Sequence, residues 1–184
     1  LTPEKCSWAY HSQKMMDYHD HEWGVPCHDD QALFERLTLE TMQAGLSWAT
    51  ILNKRENFRE AFDNFDIQTV AHYDEAKVQS LLQNEGIIRN QLKIRATIAN
   101  ANAILAIQEK YGSFDAFCWS FVDNKPIINE YTTMAEVPAF TPLAEKFRNA
   151  LLKEGFKFVG STIVYSFMQS IGMVNDHLTT CPCK

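Results

Sequence analysis

At 184 residues and 46% hydrophobic content, the chain is long enough to bury a sizeable core and is expected to form a single domain over residues 1–184. No run approaches the roughly 18 uninterrupted apolar residues of a membrane span, and Leu1-Thr-Pro-Glu-Lys-Cys-Ser-Trp8 lacks the basic-then-apolar pattern of a signal peptide, so the expected location is cytoplasmic. The formal net charge of -6 argues against nucleic acid, yet binding depends on where the charge sits, and the stretch between Glu85 and Glu109 holds Arg89, Lys93 and Arg95 with no acid at all.

Helical spacing dominates the chain. Asp29-Asp30 offers N-caps for a helix carrying Leu33, Phe34, Leu37 and Ala44, and Gly45 stops it. Ser47 caps the next, whose apolar face takes Trp48, Ile51, Leu52, Phe58 and Phe62. Asp74 opens a short helix through Leu81 and Leu82 that ends at Gly86, and Asn90 caps a long Ala/Ile-rich helix reaching Tyr111. Ser113 begins another, with Phe114, Phe117 and Phe121. The segment from Asp123 to Phe140 contains Pro126 and Pro138 and reads as an extended connection. Thr141-Pro142, a cap followed by proline at the first helical position, starts a helix that stops at Gly155. A last helix runs from Ser161 to Ile171 and stops at Gly172. Apart from Ile127-Ile128 no strand pattern stands out, so the expected fold class is all-α.

Five cysteines are an odd set for a disulfide framework and point instead toward metal. His177-Leu-Thr-Thr-Cys181 forms a close ligand pair, and Cys6 with His19 completes a Cys2His2 set suited to structural zinc. Cys183 rivals Cys181, and His11, His21 or His28 rivals His19. Such a site would tie together two chain ends that otherwise fray. No His-Glu-x-x-His pattern supports a zinc peptidase.

Glu40 stands out among the acids. The inward stripe Leu33, Leu37, Glu40, Ala44 turns its carboxylate toward the core, where it must be paired, protonated or facing a pocket. Gln43-Ala-Gly-Leu-Ser-Trp48 follows, placing Leu46 at the tip of a Gly-flanked turn from which an apolar side chain can wedge into a base stack. Trp8, Tyr18 and Trp23 supply flat faces near the N-terminus. Leu81 to Ile94 reads as two helices joined by a Gly-containing turn, either an ordinary helical corner or a degenerate helix-hairpin-helix whose second helix starts near Asn90 and can receive a phosphate, with Arg89 and Lys93 adding charge.

In these stretches the chain resembles the 3-methyladenine DNA glycosylase I (Tag) family of the helix-hairpin-helix glycosylase superfamily. The resemblance runs through Cys6-Ser-Trp8, Tyr18-His-Asp-His-Glu-Trp-Gly-Val-Pro26, Glu40 with Gln43-Ala-Gly-Leu-Ser-Trp48, and Lys54-Arg-Glu-Asn-Phe58. It continues through Gly86-Ile-Ile-Arg89, Trp119-Ser-Phe-Val122, Gly155-Phe-Lys-Phe-Val-Gly160 and Val174-Asn-Asp-His177. It implies a structural zinc ion held by Cys6, His19, His177 and Cys181, and a helix-hairpin-helix over residues 75–111. It further implies a pocket in which catalytic Glu40, Tyr18 and Trp48 contact a flipped methylated base, with Trp8 and Trp23 lining it. Gly45-Leu46 would fill the gap left in the duplex, while Arg89 and Lys93 of the hairpin meet phosphates. The activity implied is monofunctional hydrolysis of the N-glycosidic bond of 3-methyladenine in double-stranded DNA, by a monomer that needs no protein partner. Met15 departs from the pattern, standing where a second pocket tyrosine is expected, and the short tail Cys181-Pro-Cys183 replaces a longer cysteine run.

Overall fold

A computed structural model describes residues 4–184. Ten α-helices make up most of the described chain. They are α1 (Gln13–His21), α2 (Asp30–Gln43), α3 (Trp48–Asn53), α4 (Arg55–Ala61), α5 (Ile67–Ala71), α6 (Glu75–Leu82), α7 (Gln91–Tyr111), α8 (Phe114–Trp119), α9 (Pro142–Lys153) and α10 (Ser161–Ser170). The expected caps are in place. Asp29, Ser47, Asp74, Asn90, Ser113 and Thr141 each accept a backbone N–H from the first turn of the helix they precede. No described helix is long and apolar enough to cross a membrane.

Two features refine the helical expectation, the first at the one place where the sequence admits a strand. Ile127–Ile128 (β1) pairs in parallel with Val174–Asn175 (β2), a two-residue bridge that pins the long connection before α9 to the chain after α10. The helix expected from Ser47 through Phe62 breaks at Lys54 into α3 and α4. Its apolar residues serve two cores, which one straight stripe could not reach: Phe58 and Phe62 enter the main core, while Leu52 belongs to a smaller cluster with Met15, Tyr18 and Trp23.

The main core is built around α2 and α7. Leu33, Phe34 and Leu37 of α2 and Ile94, Ile104 and Ile107 of α7 have no accessible surface. Each such side chain contributes on the order of 1.5–3 kcal/mol of burial. Polar side chains then tie the layers. Asp30 caps α8 by accepting the N–H groups of Phe114 and Asp115, and Asn100 on α7 makes two hydrogen bonds to the Lys157 backbone. Arg36 donates to the Ser170 carbonyl at the end of α10, which packs against α2. α2 therefore runs through the centre with α10 on one side and the small aromatic cluster beside its C-terminal half.

Candidate active site and metal centre

Two buried glutamates on α2 have opposite surroundings. Burial opposes ionisation of Glu35, but Arg59 and Arg55 grip its carboxylate at 2.6–3.1 Å and hold it below its ordinary range. Glu40, 4% exposed, has no such partner among the described residues, and burial alone pushes its carboxyl up to about 8. Its carboxyl opens into a cavity of about 390 Å³, large enough for a purine-sized ring.

The aromatic walls come from both ends of the first fifty residues. Tyr18 on α1 lies tilted against Trp48 at the start of α3, with ring centroids 5.1 Å apart. Trp8, in a 3-10 turn over Ser7–His11, stands edge-on to Trp23 at 5.1 Å. All four line the cavity with Glu40, so the structure gathers every base-pocket residue expected from sequence. Burial and the nearby Glu40 carboxyl keep the Tyr18 phenol protonated well above its ordinary value. The Trp48 indole N–H finds no acceptor among the described residues. Met15, one turn before Tyr18, completes this wall with a thioether where a tyrosine was expected.

The opposite wall was missed in the sequence. Thr162, Ser166 and Gln169 on α10 face the cavity, and Met134 to Ala139 closes its edge. The signal was a polar stripe at steps of four and three along an otherwise apolar helix. Gln169 is held by Asp176, a fully buried carboxylate that also accepts hydrogen bonds from the Tyr165 hydroxyl and the Asn129 amide. Because its Nε2 donates to Asp176 at 2.9 Å, the orientation of the Gln169 amide is fixed.

Behind Trp8 and Trp23 sit Cys6, His19, His177 and Cys181, all buried, with ligand atoms within 4.8 Å of one another. His19 Nε2 and His177 Nδ1 are 3.1 Å apart; Cys181 Sγ lies 3.6 Å from each, and Cys6 Sγ lies 3.8 Å from His177 Nδ1. A tetrahedral cation bonded at about 2.0–2.1 Å to nitrogen and 2.3 Å to sulfur spaces its ligands by about 3.3–3.8 Å. The three sulfur–nitrogen separations fall within that range and the His19–His177 separation lies just below it, so the donor set comes close to what such an ion needs. Their outer nitrogens are already engaged, His19 Nδ1 donating to Asp20 at 2.8 Å and His177 Nε2 to the Trp23 carbonyl at 2.7 Å. These bonds leave the lone pairs of Nε2 and Nδ1 facing inward, as ligation requires. Cys183 lies outside the four, with its thiol 3.5 Å from Asp20. Gly24 makes the close approach possible: its φ is +77°, and a Cβ there would meet the His177 ring at 2.9 Å.

α2 ends at Gln43, and Gly45, at φ +80°, reverses the chain so that Leu46 is 40% exposed. Gln43, which lines the cavity, closes this turn with hydrogen bonds to Leu46. α6 and α7 are joined by residues 83–90, a longer connection than the short turn expected. Arg89 is exposed on it, without an ion-pair partner among the described residues, whereas Arg95 is paired with Glu75. Lys93 corrects the sequence expectation. It is 5% exposed, and its Nζ donates to the carbonyls of Met42 at 2.8 Å and Ala44 at 2.7 Å, so it is not available to a phosphate.

Comparison with known proteins agrees with this architecture. A sequence model of the methyladenine glycosylase family matches residues 8–184. The chain is 48% identical over 180 residues to DNA-3-methyladenine glycosylase 1 of Escherichia coli (strain K12), covering 98% of this chain and 96% of that protein. The crystal structure of a 3-methyladenine DNA glycosylase I, 49% identical, superposes with a TM-score of 0.95 over 98% of this chain and 99% of that one. A variant of 3-methyladenine DNA glycosylase I in complex with 3-methyladenine, 36% identical, gives the same TM-score over 97% of this chain and 96% of its own. With a family match across nearly its whole length, the chain belongs to the methyladenine glycosylase family.

Proposed function

We propose that the chain hydrolyses the N-glycosidic bond of 3-methyladenine in alkylated double-stranded DNA, releasing the free base and leaving an abasic site. The observation that carries this reading is Glu40, a buried carboxyl without an ion-pair partner among the described residues, facing an aromatic cavity of purine size. Relatives of similar length bear the name of this activity, and a structural neighbour holds the base itself.

3-Methyladenine attached to its sugar is positively charged. When the C1′–N9 bond breaks, its electron pair leaves with the base and neutralises that charge, so no acid is needed to protonate the leaving group. A water oxygen then bonds to C1′ and releases its proton to solvent. None of the described residues lining the cavity is a lysine, in keeping with water rather than an amine as the nucleophile. What remains is to extract the base and to prefer the cation. Tyr18 and Trp48 offer π faces, and cation–π attraction contributes about 0.5–2 kcal/mol. Glu40 adds charge selection. A carboxyl raised by burial to about 8 ionises when a cation settles beside it, whereas neutral adenine provides no such drive.

Cys6, His19, His177 and Cys181 would hold a zinc ion with no open coordination position; bound there, it would supply structural cross-linking and no chemistry at the base. Leu46 at the tip of its turn would fill the space vacated in the duplex. The connection between α6 and α7 would act as the helix-hairpin-helix, with Arg89 and the free N–H groups of the α7 N-terminus near the phosphate backbone. None of the five cysteines is in a disulfide bond, which suits a reducing, cytoplasmic setting. The reading is tested by incubating methylated duplex DNA with the wild type and Glu40→Gln and identifying the released bases by chromatography. Free 3-methyladenine from the wild type, with release cut strongly in the variant, is expected. A folded wild type that releases none would overturn it.

A further inference from the structure

A lysine ammonium is costly to bury, and Lys93 has no carboxylate partner among the described residues to offset the cost. Its position explains its use. It is the third residue of α7; its own N–H is held by the Asn90 cap at 3.0 Å, and its carbonyl accepts the Thr97 hydroxyl at 2.9 Å. From this fixed base the side chain crosses to the C-terminal end of α2, where carbonyls lack intrahelical partners and the helix dipole is negative. The Ala44 carbonyl it binds belongs to the peptide joining Ala44 to Gly45, the first peptide of the turn that carries Leu46. One ammonium therefore ties that turn to the first turn of the helix after the hairpin.

We propose that Lys93 is a positioning residue for base extraction: it clamps the Ala44–Gly45 peptide to the start of α7, so that the Leu46 turn and the hairpin meet the duplex as one rigid unit. The proposal rests on the reading of Leu46 as the residue that enters the base stack. Without the clamp the buried Met42 carbonyl and the half-buried Ala44 carbonyl lose their donor, and the turn can swing relative to the helix that sets its register on DNA. The base pocket itself, formed by Tyr18, Glu40 and Trp48, does not touch the Lys93 ammonium and should remain competent.

The test compares Lys93→Met, Lys93→Arg and Leu46→Gly for release of 3-methyladenine under single-turnover conditions from methylated duplex and from methylated single strands, where there is no paired stack to breach. Binding of free 3-methyladenine, read by tryptophan fluorescence, monitors the pocket, and thermal melting monitors the fold. For Lys93→Met the duplex rate should fall about 10- to 100-fold, with single-strand release and free-base affinity changed by less than about threefold. Lys93→Arg, which keeps charge and donors, should recover most of the duplex rate, and it carries the comparison should the methionine variant fail to fold. Equal losses on both substrates, or none, with Leu46→Gly still selectively impaired on duplex, would overturn the role of Lys93 alone. If Leu46→Gly excises from duplex as well as the wild type does, the wedge reading falls, and the proposal with it.

Discussion

Glu35 and Glu40 lie on the same helix, are both nearly inaccessible, and are shifted in opposite directions because one faces two arginines and the other is buried beside an aromatic cavity without a charged partner among the described residues. That contrast has a measurable consequence for stability. A carboxyl raised in the folded state favours folding below the unfolded-state value of about 4.5, and that contribution is lost as pH climbs toward the folded value of about 8. Glu40→Gln lacks the ionising group, so its melting temperature should gain on the wild type between pH 5 and pH 8 and then level off. Melting curves that run parallel across that range would show that Glu40 is not held protonated. The same group predicts a rising profile for activity. The ionised carboxylate is the form that suits the cationic lesion, so kcat/KM of the wild type should increase from pH 6 toward pH 8, and Glu40→Gln should lose both the rate and that slope.

At the scale of the helix, α10 has the least expected role. Its apolar face anchors the main core, while Thr162, Ser166 and Gln169 turn a polar edge to the cavity, the last of them oriented by Asp176. Replacing Gln169 by Leu should weaken binding of free 3-methyladenine several-fold, up to about tenfold for one hydrogen bond lost, with little effect on melting; calorimetric titration would check it. Equal affinity would mean that the amide only frames the cavity. Six of the eight described helices with a side-chain cap were legible in sequence because a cap is a local device, while the caps Ser12 of α1 and Asp66 of α5 were passed over. Asp29, Ser47, Asp74, Asn90, Ser113 and Thr141 each need only their own next three residues. α1 and α5 were not. α1 turns Tyr18 to the base pocket and His19 to the ligand cluster, so it has no apolar stripe to betray it. Lys93 was misread for a related reason: its partners lie up to 51 residues away, at a helix end that no local pattern connects to it. The pocket aromatics and the four Cys and His residues were legible through the family resemblance and the chemistry of the residue types, but their convergence depends on packing across the whole chain.

For the molecule as a whole, the ligand cluster and the base pocket share one wall. His177 donates to the Trp23 carbonyl, His19 packs edge-on to Trp8 at 5.1 Å, and those two tryptophans line the cavity. On the zinc site proposed above, Cys6→Ser should abolish zinc binding and lower the melting temperature by about 10 °C, and should weaken base binding as a result of the loosened wall. Unchanged zinc content would remove Cys6 from the ligand set. The wall has a further consequence in time rather than in space. The cavity takes side chains from Trp8 through Gln169, and the ligand set reaches from Cys6 to Cys181, whereas neighbours such as α5 and α7 meet over short stretches of chain. Contacts between distant segments carry the larger loop-closure cost and form late. A refolding chain should regain its helical circular dichroism well before it can bind 3-methyladenine, and during synthesis the pocket cannot assemble until the last helix has left the ribosome.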